Sequence, residues 1–151
     1  MGSSGAEANI RIRVARAGDA VALADLCTQL GYPSTPAEVA ARLEHIFGDP
    51  DHVVFVADLT EGGVAGFVHG FSGIALETGP RAEILGLVAD AGRRGQGIGR
   101  RLVAEVERWA QSKGHNALTV RCNVVRTAAH GFYDGLGFEC TKTQKHFRKK
   151  F

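Results

Sequence analysis

Apolar and charged side chains alternate from Ile10 through Arg11, Ile12 and Arg13 to Val14, the period-two pattern of a half-exposed strand. The period then changes. Leu23, Leu26, Cys27 and Leu30 recur at helical spacing behind Asp19, which is placed to cap the helix, and Gly31, Tyr32 and Pro33 break it. Thr35-Pro36-Ala37-Glu38 is a capping box with proline at the first helical position. It predicts a second helix with Val39, Leu43, Ile46 and Phe47 inward and Gly48 and Pro50 at its end. The apolar run Val53 to Ala57, the turn Glu61-Gly62-Gly63 and the run Val64 to Phe71 predict an antiparallel hairpin. Ser72 to Pro80 reads as a loop and Glu83 to Ala89 as the next strand.

A glycine- and arginine-rich turn follows, Gly92 to Arg101. Beyond it Ile98, Leu102, Val106, Trp109 and Ala110 share one face of a long amphipathic helix that Gly114 closes. Ala117 to Cys122 alternates as a strand. Ala129, Phe132, Tyr133 and Leu136 define a short helix ended by Gly137, and Phe138 to Phe151 offers one or two final strands. The order is β-α-α-β-β-β-α-β-α-β: a mixed α/β fold with a mostly antiparallel sheet and helices on both faces.

Composition narrows the class. At 151 residues the chain suits one domain, expected over residues 9–151, with residues 1–8 a disordered or artificial terminus. A net charge of +2 calls for neither nucleic acid nor an anionic membrane as partner. Three cysteines, Cys27, Cys122 and Cys140, are an odd number at wide spacing and fit a reducing, cytoplasmic setting. No apolar run approaches the roughly 18 residues of a spanning helix. The histidines are scattered without HExxH, which argues against a metal centre, and GxSxG fails because Ile74 stands where the last glycine belongs after Gly70 and Ser72.

The informative stretch is Leu87-Val88-Ala89, then Gly95-Gln96-Gly97-Ile98-Gly99-Arg100. A strand runs into a glycine-dense turn at the start of a helix, which offers free backbone N–H groups and the positive end of the helix dipole to phosphate. Glycines let a pyrophosphate approach the backbone, and Arg93, Arg94, Arg100 and Arg101 add charge. The Walker pattern fails, with Ile98 where lysine is needed after Gly92 and Gly97. The dinucleotide pattern fails at Arg100.

Arg94, Gly97 and Gly99 match the [Q/R]xxGx[G/A] signature of the GCN5-related N-acetyltransferase (GNAT) family. The opening RVARAGDAVALADL, the closing AAHGFYDGLGF (Ala128 to Phe138) and the element order extend the resemblance over nearly the whole chain. The resemblance implies that acetyl-CoA is the co-substrate and that the sheet is splayed where it enters. Gly95, Gln96, Gly97, Ile98, Gly99 and Arg100 would then hold the pyrophosphate. Leu87, Val88 and Ala89 would bind the pantetheine arm and supply an oxyanion donor. Tyr133 is the implied general acid, Glu83 the implied base acting through water, and Asn123 a contact for the CoA arm. The family's usual asparagine position, three before a helical alanine, is Arg126 here. The acceptor is expected to be a small-molecule amine bound near Tyr32, Pro33 and the Phe71 to Pro80 segment. A protein N-terminus or lysine, and a non-catalytic acyl-CoA-binding module, are the alternatives. A homodimer through the late segment that ends in Phe147 and Phe151 is expected.

Overall fold

The structure, a computed structural model, describes residues 9–93 and 95–151. They form two compact units, one running to Val120 and the other Arg121–Phe151.

In the first unit, strand β1 (Ile10–Val14) leads through a short 3-10 turn into helix α1 (Ala20–Leu30). Asp19 stands at the N-cap, but its carboxylate does not cap α1. It accepts two bonds from the Arg13 guanidinium, at 2.8 and 2.9 Å, and one from the Arg16 N–H at 2.8 Å. A third guanidinium nitrogen, Nε, reaches Asp58 at 2.9 Å. The hydrogen bond from Arg13 holds the Asp19 carboxyl below its ordinary pKa. The expected cap is therefore a strand-to-helix clamp, because Arg13 outbids the orphan helix amides for this carboxylate.

Helix α2 (Pro36–Phe47) begins with the expected reciprocal bonds between Thr35 and Glu38. Val39 and Leu43 are buried and Ile46 packs at the margin. Phe47 is exposed, contrary to the inward stripe, because it falls in the last turn.

Strands β2 (His52–Leu59), β3 (Gly63–Ala75) and β4 (Gly79–Ala89) form an antiparallel meander, and β5 (Leu118–Val120) pairs in parallel with β4. The order is β1-β2-β3-β4-β5. The expected Ser72 to Pro80 loop is strand instead. Ser72, Gly73, Ile74 and Ala75 pair with Ala82, Arg81, Pro80 and Gly79. Glycine and serine lower strand propensity, but the ladder overrides them and leaves only residues 76–78 as the turn.

Helices cover both faces. Leu23, Leu26, Val39 and Leu43 of α1 and α2 pack with Val54, Val56 and Phe67 of the sheet. On the opposite face lies helix α3 (Ile98–Ser112), with Ile98, Leu102, Val103, Val106 and Ala110 buried. Gly66 and Gly70 of β3 make that approach possible: a Cβ on Gly70 would sit 2.6 Å from a Val106 methyl, and one on Gly66 2.9 Å from an Ile98 methyl. Gly114 (φ +89°) ends α3 in the left-handed conformation.

In the second unit, helix α4 (Thr127–Gly135) is closed by Gly137 (φ +88°), and Phe138 N–H returns to the Tyr133 carbonyl at 3.1 Å. Residues 138–151 carry no regular secondary structure, so the expected final strands are absent there. Its charges come at irregular intervals, and Lys149 and Lys150 adjoin, which leaves no continuous apolar face to bury. The strand expected over Ala117 to Cys122 is only three residues long.

Candidate active site

The central feature is the outer edge of β4. Strand β5 pairs with it only at Ala82, Glu83 and Ile84. Leu85 to Ala89 continue past β5 with a ladder to β3 alone among the described residues. Asp90 donates its N–H to the Ala65 carbonyl at 2.7 Å. Ala65 and Asp90 continue the register in which Phe67 faces Val88 and Gly66 faces Ala89. Hydrogen-bonded pairs alternate along an antiparallel ladder. Val88 therefore exchanges its backbone groups with Phe67, while Leu87 and Ala89 turn theirs to the open edge. An extended ligand arm can add there as a further strand.

The strand runs into the glycine turn. Ala91 to Arg93 make one 3-10 turn, and Arg94 lies outside the described residues. Gly95 (φ +85°) and Gly97 (φ +77°) are both left-handed, and a Cβ on either would meet no described residue beyond its chain neighbours within 4 Å. α3 then starts, with the Arg101 N–H donating to the Gly97 carbonyl at 3.1 Å. The first turn of a helix leaves its N–H groups without intrahelical partners, so the amides of Ile98, Gly99 and Arg100 are presented where the dipole is positive. Ile98 is buried and anchors the turn, Gln96 and Gly99 are partly buried, and Arg100 is exposed.

Gln29 of α1, which no sequence pattern marked, braces this turn. Its amide nitrogen donates to Asp90 Oδ1 at 2.8 Å and its amide oxygen accepts from the Ala91 N–H at 2.9 Å.

Glu83 lies in the middle of β4, since the strand begins at Gly79 rather than at Glu83. It is one of two buried charged residues among those described, at 6% exposure, with Arg81 Nη2 at 3.7 Å from its carboxylate.

In the second unit, Tyr133 is partly buried between Phe132 and Phe138, edge-on to both rings at 5.2 and 5.5 Å between centroids. Burial chiefly, and the neighbouring Cys122 next, push its phenol pKa up. It therefore keeps its proton at neutral pH and remains a donor. Asn123 turns its side chain to the Val125 N–H at 3.1 Å, and its carbonyl meets His130 Nε2 at 2.8 Å. His130 is thus tied into the loop before α4.

A buried carboxylate, a strand edge with outward amides and a glycine turn at a helix N-terminus follow one another along β4 and into α3. The profile of the acetyltransferase (GNAT) family matches residues 20–138, and the chain belongs to that family, whose acyl donor is acetyl-CoA. An aminoglycoside N(6′)-acetyltransferase type 1 of Stenotrophomonas maltophilia is 29% identical over 142 residues, covering 91% of each chain. One from Serratia marcescens is 27% identical over 132 residues, covering 82% of this chain and 88% of that one. The fold matches that of the aminoglycoside N-acetyltransferase AAC(6′)-Iy in complex with CoA, with a TM-score of 0.83 at 23% identity over 94% of this chain and 95% of that one.

Proposed function

We propose that this acetyltransferase moves the acetyl group of acetyl-CoA onto a primary amine of a small, polar, amine-bearing molecule. The family match carries this reading. It runs from residue 20 to residue 138, across both units, which also supports a single working domain over residues 9–151. The aminoglycoside acetyltransferases among the relatives favour a small-molecule amine over a protein N-terminus or lysine. Tyr133, which pure binding would not need, favours catalysis over a binding module.

In this reading the pyrophosphate rests on the amides from Gly95 to Arg100, with Arg94 adding charge. The pantetheine arm lies along Leu87 and Ala89, whose outward N–H groups are also placed to meet the oxyanion that forms as the amine attacks. The acceptor arrives as an ammonium, because an alkylamine has a pKa of about 10.4. Glu83 removes its proton through a water. The nitrogen adds to the thioester carbonyl, the C–S bond breaks, and Tyr133 gives its phenol proton to the departing thiolate and recovers one from the nitrogen as the amide forms. The acceptor binds beside Tyr32, Pro33 and the β3–β4 ribbon. Three free cysteines support a reducing, cytoplasmic setting.

The test is the pH–rate profile of Glu83→Gln. The variant should turn over most slowly relative to wild type at neutral pH and recover as rising pH deprotonates the amine in solution. A loss of the same size at every pH, or no loss, removes Glu83 from the base role.

A further inference from the structure

A base at 6% exposure that collects one proton per turnover must return it to water. The structure holds a row of groups suited to that return. His52 of β2 and His69 of β3 meet through their rings, Nδ1 to Nε2 at 2.9 Å, with centroids 5.1 Å apart. The other nitrogen of His52, Nε2, lies 3.8 Å from Asp49 Oδ2. Exposure rises outward along the row: the His52 side chain is 24% exposed and that of Asp49 is 48%. Phe71 flanks His52, with centroids 4.9 Å apart.

The inner end of the row faces β4. His52 pairs with Phe71 and Phe71 with Glu83, while Val54 pairs with His69 and His69 with Gly86. Val54, Val56 and Phe67 point to the α1/α2 face, and Gly66 and Gly70 to α3. Side chains alternate along a strand, so His52, His69, Phe71 and Glu83 all lie on the α1/α2 face. A bulge between the His69–Gly86 and Gly70–Ile84 pairs takes up Leu85 and keeps Glu83 on the face of Gly86, diagonal to His69 across the strands. Gly86, directly beside His69, carries no side chain. Even a methyl there would come no nearer than 3.5 Å to the Phe67 ring and 3.9 Å to Leu30. The glycine thus leaves a methyl-sized space beside the imidazole.

The charged and titratable groups around the pair on this face are few. β4 brings Arg81 and Glu83, and Asp49 precedes β2. α1 brings Leu30 and, in the adjoining core, the Cys27 thiol, whose pKa burial raises against the opposing charge of Arg42 on α2; the other α2 residues in that core are the uncharged Val39, Leu43 and Ile46. Burial first, and His52 second, hold the His69 imidazole down to a pKa of about 4. At neutral pH it is therefore uncharged, able to accept a proton and unable to keep it.

We propose that His69 and His52 are the proton exit of the acceptor site, passing the proton that Glu83 takes from the acceptor ammonium outward to Asp49 and solvent. The proposal rests on the Glu83 reading. The carboxylic acid formed at Glu83 gives its proton, through water, to His69 Nδ1. The proton on His69 Nε2 moves to His52 Nδ1, and the one on His52 Nε2 leaves to Asp49 or bulk water. One proton enters, one leaves, and both rings end neutral in the other tautomer, which ring reorientation resets.

The experiment compares His69→Gln, His52→Gln and Glu83→Gln with wild type for kcat, KM for acetyl-CoA, and response to added imidazole buffer. Each histidine variant should lose about tenfold in kcat in dilute buffer, less than the 10²–10⁴-fold typical of a lost acid–base catalyst. KM for acetyl-CoA should stay unchanged, and imidazole should restore kcat. A structural role would instead lower the denaturation midpoint and leave kcat indifferent to imidazole, overturning the proposal. If His69→Gln does not fold, His52→Gln at the rim carries the same test. Wild-type kcat in both histidine variants beside a slow Glu83→Gln removes the exit and keeps the base. Wild-type kcat in Glu83→Gln removes both.

Discussion

Gly97 sets the donor site most sharply, and its replacement has a cost that can be worked out. Its φ of +77° lies in the left-handed region, where an L residue costs roughly 1–2 kcal/mol. Among the described residues, no atom beyond its chain neighbours lies within 4 Å of where its Cβ would stand, so no clash adds to that strain. Gly97→Ala should thus lower the unfolding free energy by about 1 kcal/mol, and the β-branched Gly97→Val by about 2 kcal/mol. That strain is present with and without ligand, so alone it would leave affinity untouched. The empty space is also where a pyrophosphate would have to come. Gly97→Val should therefore weaken acetyl-CoA binding by at least about tenfold, which is about 1.4 kcal/mol. Gly114→Ala is the control. Its φ of +89° imposes similar strain in equally open space, at the other end of α3. It should lose the same stability as Gly97→Ala, about 1 kcal/mol, and bind acetyl-CoA normally. Denaturant unfolding and titration calorimetry read the two effects separately. Unchanged affinity in Gly97→Val, or equal weakening in Gly114→Ala, would refute the placement of the phosphates.

Tyr133→Phe keeps the ring between Phe132 and Phe138 and deletes only the hydroxyl. It should bind acetyl-CoA normally, lose no more than about 1 kcal/mol of stability, and turn over about 10²-fold more slowly; full activity with chemistry rate-limiting would remove Tyr133 as the acid. We also propose that the chain self-associates through its late segment, where Phe147 and Phe151 are exposed. Light scattering should then give a mass near twice 16.0 kDa, and a monomer at high concentration would contradict it.

The fold was most legible where local chemistry and tertiary structure agree. The Thr35–Glu38 capping box, the Gly62–Gly63 turn and the α3 stripe all lie where their residues placed them. The β3–β4 ribbon was hidden because Ser72, Gly73 and Gly79 read locally as turn, whereas cross-strand pairing decides their state. Asp19 was misread for a related reason: a cap is a local inference, and the competing Arg13 comes from another element. In the site, the glycine turn announced itself, since its residues are contiguous. Glu83 was legible only through the family resemblance, and its burial not at all. His52 and His69 stand seventeen positions apart in no motif, and only the register of β2 against β3 brings them together.

The central claim is acetyl transfer to a small amine, and one assay addresses it directly. The protein is incubated with acetyl-CoA and a panel of amines that includes aminoglycosides, polyamines and a lysine peptide, while thiol release and product mass are followed. Thiol release should depend on a small-molecule amine and be matched by a product one acetyl group heavier. Tight acetyl-CoA binding with no acceptor-dependent thiol release across the panel, or acetylation confined to the peptide, would contradict it.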